Sequence, residues 1–230
     1  MHTHLVAPSQ LIPLISARLG FHPPVHSYSL HPLSSQLQGI ASGAQVLLVQ
    51  APDDQYVHRL QASHPNLLDL LLVPSPIAPS HGFITLASGN NAQLTEAASL
   101  IDHLAPIHNG WLHIGPLGSC GYINQLWHTL LTPQGAPPFL DWRLLSEANT
   151  QAKALDHTLT QADLIAQLAS LMAQQQLQIQ TMASISRRFL ADYPDEAFIP
   201  HHPQTSNFFG AFSASNQAPA EQLARLLAQY

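Results

Sequence analysis

Four short, nearly unbroken apolar runs set the terms on which this chain can fold: residues 44–50 (AQVLLVQ), 67–73 (LLDLLLV), 82–88 (GFITLAS) and 111–114 (WLHI). Each has strand length and each gives way to a loop carrying Pro, Gly, Asn or Asp. Apolar runs of this length without polar alternation suit strands covered on both faces. Between them the period changes. Residues 92–104 place Leu94, Ala97, Ala98, Ile101 and Leu104 on one helical stripe. Strand and helix alternate, which predicts a parallel sheet with helices packed on it. Upstream, residues 4–7 read as a first strand, Ser9 as the cap of a helix running to Gly20, and residues 25–30 as a second strand. Pro13 fits that helix only near its first turn. Residues 34–40 read as a helical turn or two.

Beyond Tyr122 the texture is helical until 132–138 (TPQGAPP) interrupts it, and 139–148 and 161–190 read as further helices. In the longer one Leu164, Leu168, Leu171, Met172, Ile179, Met182, Ile185 and Phe189 recur at three- and four-residue steps, so the glutamine-rich stretch 174–180 is read as a solvated helix face. Residues 200–219 read as loop, with Phe208, Phe209 and Phe212 docking on the helices or on a partner, and 220–230 as a terminal helix.

Only 9% of residues are charged, so the polar surface must be built from Gln, Asn, Ser, Thr and His. A surface so short of charge hides apolar area most readily in an interface, and a homodimer is expected. The net charge of −6 and the lack of a basic stripe beyond Arg187 and Arg188 disfavour nucleic acid as a partner. The start lacks a basic stretch followed by an apolar run, and no segment reaches membrane-span length, so no membrane association and a cytoplasmic location are expected. A single cysteine, Cys120, excludes an internal disulfide and is read as a buried structural thiol. The histidines, including His22, His26 and His31, and His201 with His202, sit in Pro-rich stretches without a zinc-motif spacing, so no metal is expected.

Taken together, residues 44–131 resemble the hinge between the nucleotide domain and the helical domain of the 6-phosphogluconate and β-hydroxyacid dehydrogenase superfamily. The resemblance rests on VLLVQAPDD, LLDLLLVPSPIAP, GFITLASGN, AASLIDHLAP and, most specifically, WLHIGPLGSCGYINQLWHTLL. It implies an α/β fold: a Rossmann-like parallel-sheet domain of the NAD(P)-binding type over residues 1–118, followed by an all-helical C-terminal domain over 119–230. In the family a glycine turn opens the interdomain helix, a lysine four residues after the final glycine is the acid/base, and an asparagine one turn later aids substrate binding.

Aligned on Gly121, the lysine position is Gln125 and the asparagine position Thr129, with His128 between them. Glutamine exchanges no proton near neutral pH. The chain's one lysine, Lys153, lies far beyond the motif. His128, and after it Tyr122, are the candidates for any surviving proton transfer. The resemblance also implies a G-x-G-x-x-G cradle after the first strand, where this chain has no glycine; Pro8 there carries no amide donor. Pro8 and Ser9, with Ala51, Pro52 and Asp53 after the third strand, are the positions at which NAD(P) would be held. Arg187 and Arg188 are read as a solvated pair at a helix end, or as an anion grip. Two functions follow from this pattern: a metabolite-binding or scaffold dimer that has lost dehydrogenase activity, or an NAD(P)-dependent oxidoreductase on a small hydroxy acid or imine with a non-lysine acid/base.

Overall fold

The computed structural model describes residues 2–24, 27–33, 37, 39–131, 161–194, 197–201 and 217–230. The apolar runs become strands of one six-stranded sheet: β1 Thr3–Ala7, β2 Tyr28–Pro32, β3 Gln45–Val49, β4 Leu67–Val73, β5 Ile84–Ser88 and β6 Trp111–Gly115, in the order β2-β1-β3-β4-β5-β6. Between and after them run α1 Ile12–Phe21, α2 Asp54–Gln61, α3 Ala78–His81, α4 Asn91–Leu104, α5 Ser119–Leu131, α6 Gln161–Ala191 and α7 Pro219–Leu227. This is the expected α/β architecture, a Rossmann-like sheet followed by helices.

One expectation is corrected. The sheet is not wholly parallel: β1, β2, β3 and β4 run together, β5 runs against β4, and β6 follows β5. A parallel return needs a crossover of a dozen residues or more. The link from β4 to β5 holds only the single turn α3, so the chain reverses instead. The unit β5-α4-β6 therefore has its carboxyl edge at the opposite end of the sheet from that of β1, β3 and β4.

The sheet is covered on both faces. Leu5, Leu47, Leu68, Leu70 and Leu72 pack with Ile15 and Leu19 of α1 and Leu94, Leu100 and Ile101 of α4. On the other face Val6, Val46, Leu48 and Leu67 meet Val57 and Leu60 of α2, while Leu71 meets Cys120 of α5. Full burial of such side chains is worth roughly 1.5–3 kcal/mol each. Arg18 is buried among the ends of α3 and α4, its guanidinium donating to the carbonyls of Ser80, His103 and Ala105.

Ser9 does not cap α1. That helix starts at Ile12 with Leu11 as its N-cap residue and no side-chain cap, because Pro13 occupies its first turn and Leu11 is drawn into the core. The second strand lies at Tyr28–Pro32, shifted from 25–30 by its pairing with β1. The long helix α6 extends over 31 residues, about 46 Å at 1.5 Å per residue. Met182, Ile185 and Phe189 of α6 close a second core with Tyr122 and Leu126 of α5 and Ala220 and Ala224 of α7. The helix expected at 139–148 and the phenylalanine segment 206–212 lie outside the described residues. No helix among the described residues is long and apolar enough to cross a membrane.

Candidate functional site

The opening of α5 lies so close to the start of α2 that its glycine is required. A Cβ on Gly121 would lie 2.7 Å from the carbonyl oxygen of Asp53 and 3.0 Å from the backbone nitrogen of Asp54. The opening of α5 rests on Asp69 of β4, which lies on the same strand face as Leu67 and Leu71. The Gly121 amide donates to Asp69 Oδ2 at 2.8 Å, the Ser88 hydroxyl donates to the same oxygen at 3.3 Å, and the Cys120 amide donates to the Ser88 hydroxyl at 3.3 Å. Asp69 Oδ1 is buried without a hydrogen-bond partner among the described residues. Burial raises the Asp69 carboxyl from 3.8 to about 7, against the pull of the hydrogen bonds from Gly121 and Ser88. Cys120 is buried too, and burial pushes its thiol well above the ordinary range.

One turn on, α5 meets the loop after β3. Asn124, 3% exposed, donates from Nδ2 to the Ala51 carbonyl at 2.8 Å. Asp53 caps α2 by accepting from the Tyr56 amide at 2.6 Å. Its neighbour Asp54 is wholly buried and accepts from Arg188 Nη2 of α6 at 3.0 Å, and the same nitrogen donates to Gln125 Oε1 at 2.7 Å. Asp54 Oδ2 and Arg188 Nε are both buried without a hydrogen-bond partner among the described residues. Arg188 thus ties α2, α5 and the long helix α6 together.

Of the residues singled out in the sequence, Gln125 enters this junction. Tyr122 lies beside it, fully buried, its ring stacked on Phe189 at 4.2 Å and its hydroxyl 2.8 Å from that of Ser186. Burial, with a contribution from Asp54, raises the phenol to about 12. His128 is exposed on the outer face of α5, and the Thr129 hydroxyl bonds back to the Gln125 carbonyl at 2.9 Å. Ala51 is buried, Pro52 exposed and Asp53 half-buried. Arg187 is exposed, its Nε donating to the Ala228 carbonyl at 3.2 Å, whereas Arg188 is part-buried as the junction's cation. Sequence reasoning missed Asn124, Asp69 and Asp54. An aspartate inside the run LLDLLLV was the available signal for Asp69.

The turn after β1 decides whether a dinucleotide fits in the family's manner. There the Leu11 amide donates to the Pro8 carbonyl at 2.8 Å, Pro8 and Pro13 carry no N–H, and the Leu11 side chain is 3% exposed. A pyrophosphate needs several amides pointing outward from a glycine-lined turn. This turn closes on itself and fills the space with leucine, so Pro8 and Ser9 do not form such a cradle.

A cleft of about 540 Å³ opens at the carboxyl edge of the reversed unit, lined by His58, Asn90, Gln93, His113, Tyr193 and Phe198 among others. Asn90 caps α4 by accepting from the Gln93 amide at 2.9 Å. His113 is held in one tautomer: Nδ1 accepts from the His201 amide at 3.1 Å, so Nε2 carries the proton that faces the Gly89 and Gly115 carbonyls at 3.1 and 3.0 Å. His201 stacks on Trp111, and burial lowers its pKa. Among the described residues no group of three or more His, Cys, Asp or Glu is placed to hold a metal ion.

No family model and no curated protein sequence matches the chain. Among solved structures it is similar to an imine reductase variant from Myxococcus stipitatus in complex with NAD+, at 11% identity over 99% of this chain and 92% of that one, with a TM-score of 0.42. A putative oxidoreductase from Mycobacterium avium 104 gives 11% identity over 99% and 95%, with a TM-score of 0.43. A conserved protein of unknown function, described as structurally similar to 3-hydroxyacid dehydrogenases, gives 10% over 100% and 96%, with a TM-score of 0.37.

Proposed function

We propose that this chain is a dehydrogenase-like scaffold that binds a small metabolite as a homodimer, without the hydride transfer of its fold relatives. The observation that carries this reading is the closed turn between β1 and α1, where Pro8 supplies no donor and the Leu11 amide is already bonded. At the junction, the position that the resemblance gives to a lysine is Gln125, tied to Arg188. The small molecule occupies the cleft beside α4, whose volume lies within the roughly 300–1,000 Å³ of small-molecule sites. That cleft lies outside the carboxyl ends of β5 and β6, where open α/β sheets bind ligands. Trp127, Leu130 and Leu131, all more than 40% exposed on α5, supply apolar surface for the second copy. The reading includes a cytoplasmic location, in keeping with one buried, unpaired cysteine.

A second reading is favoured by one observation: Asp54 Oδ2 is buried and has no hydrogen-bond partner among the described residues, and the charge of Asp54 acts on the Tyr122 phenol. On this reading the chain is an NAD(P)-dependent oxidoreductase on a small hydroxy acid or imine, with the junction replacing lysine. Titration with NADPH and NADH, followed by thermal unfolding, separates the two. Ligand at a hundredfold excess over its dissociation constant adds about 2.7 kcal/mol of stability. The scaffold reading expects no rise in melting temperature at millimolar cofactor; a saturable rise overturns it in favour of the oxidoreductase.

A further inference from the structure

The junction beneath α5 holds more buried charge than its hydrogen bonds satisfy. Among the described residues six buried side-chain polar atoms lack a hydrogen-bond partner, and four of them are here: Asp69 Oδ1, Asp54 Oδ2, Ser119 Oγ and Arg188 Nε. Asp69 and Asp54 are each wholly buried, and the cation bonded there, Arg188, is spent on Asp54 at 3.0 Å. The other neighbours of Asp69 bring no relief. On α5 the Cys120 thiol lies within reach of its field, while β3 and β5, which flank β4, carry no ionisable side chain. Two ionised carboxylates would leave a net negative charge out of water, which burial strongly disfavours.

Asp69 is placed to hold its proton instead. As a neutral acid it donates from Oδ2 to the Ser88 hydroxyl oxygen, 3.3 Å away, while the Ser88 hydrogen turns to the Asp69 carbonyl at 3.4 Å; the Gly121 amide still reaches Oδ2 at 2.8 Å. As a carboxylate it leaves Oδ1 charged and unsolvated, with Asp54 adding repulsion. The hydrogen bonds from Gly121 and Ser88 and the N-terminus of α5 favour the ion, yet burial outweighs them and the carboxyl lies at about 7. Water can reach that carboxylate by one route. Strand β4 is fixed on both sides by β3 and β5, so the cover that can give way is the opening of α5, whose Gly121 amide hangs on Asp69 itself.

We propose that Asp69 is a proton-operated catch for α5: while it holds its proton the opening of the helix stays seated on the sheet, and when it ionises that opening lifts to let water in. Helix α6 is drawn into the movement through Arg188, which bonds Gln125 of α5.

Cys120 reports the lift, because it is the chain's one cysteine and is buried on the part of α5 that moves. The full chain is labelled with 4,4′-dithiodipyridine, a thiol reagent that works from acid to neutral pH, and each rate is divided by that of the chain unfolded in urea at the same pH. The carboxyl titrates at about 7 when covered and at 3.8 in water, so lifting releases a proton between these values and its equilibrium rises about tenfold per pH unit. The expected result is a normalised rate that climbs at least tenfold from pH 5 to 7 in the parent and stays level in Asp69→Asn. A level parent, or an asparagine variant that climbs with it, overturns the catch. Urea separates lifting from global unfolding without any variant: exposing one helix end, the labelling equilibrium should respond to urea with less than about half the slope of global unfolding. An equal slope overturns the catch as well.

Discussion

Replacing Asp69 by asparagine tests whether the carboxylate beneath α5 opposes the fold or supports it. The carboxyl is raised from 3.8 to about 7, so the folded state binds its proton more tightly than the unfolded state does. Its contribution to stability is complete below pH 3.8 and is lost as pH rises through about 7. The difference of roughly three pH units corresponds to about 4 kcal/mol at pH 8. Asparagine removes the charge and keeps an oxygen for the Gly121 amide. Its amide nitrogen, however, takes the place of Oδ1, which has no hydrogen-bond partner among the described residues. A buried unsatisfied donor costs about 1–3 kcal/mol. The net expectation for Asp69→Asn is a gain of about 1–3 kcal/mol at pH 8 that turns into a loss of about 1–3 kcal/mol by pH 4, where the charge no longer opposes the fold. Urea unfolding midpoints measured between pH 4 and 8 report it directly. An asparagine variant less stable than the parent at pH 8, with no pH trend between them, would refute the reasoning and show that the helix N-terminus and its hydrogen bonds outweigh burial.

Arg188→Met leaves Asp54 buried and uncompensated. Breaking a buried pair costs about 3–5 kcal/mol, and because the Arg188 side chain is 36% exposed the expected loss is discounted to roughly 1–3 kcal/mol, read from chemical denaturation at pH 7. The dimer is tested by Trp127→Glu, which places a charge on the exposed end of α5: sedimentation at micromolar concentration is expected to show two chains for the parent and one for the variant, and a monomeric parent overturns the assembly.

The strands were legible because their apolar runs are buried on both faces, and α5 because its glycines precede a helical stripe. Strand direction was not legible. Alternation along a strand is the same whichever way it runs, so the reversal of β5 followed only from the length of the link after β4. At the junction, counting four residues from Gly121 led to Gln125, which does meet Arg188. The residue turned toward β3 is Asn124, one position earlier, and a helix face cannot be fixed to one residue without knowing how the helix is rotated on the sheet. Asp53 and Asp54 are alike in sequence. One caps α2 and the other is buried against Arg188, a distinction made by α6, more than a hundred residues away. The hydrogen bond between His4 and His31 was likewise hidden by their separation of 27 positions along the chain.

On the proposed reading, Leu11 gives the absence of a dinucleotide cradle a direction in evolution. Its side chain belongs to the main core with Leu5, Ile15 and Leu47, so the residue that closes the turn also stabilises the fold. Placing glycine at that position would remove core packing worth about 2–5 kcal/mol before any phosphate could be bound. Proteins sit only slightly above the stability that they need. A lineage that has taken this step would have to pass through a weakened protein to go back, while mutations elsewhere in the turn carry no penalty for drifting further from phosphate binding. The closed turn thus acts as a ratchet, and descendants of this chain would be expected to elaborate other surfaces rather than recover the old one.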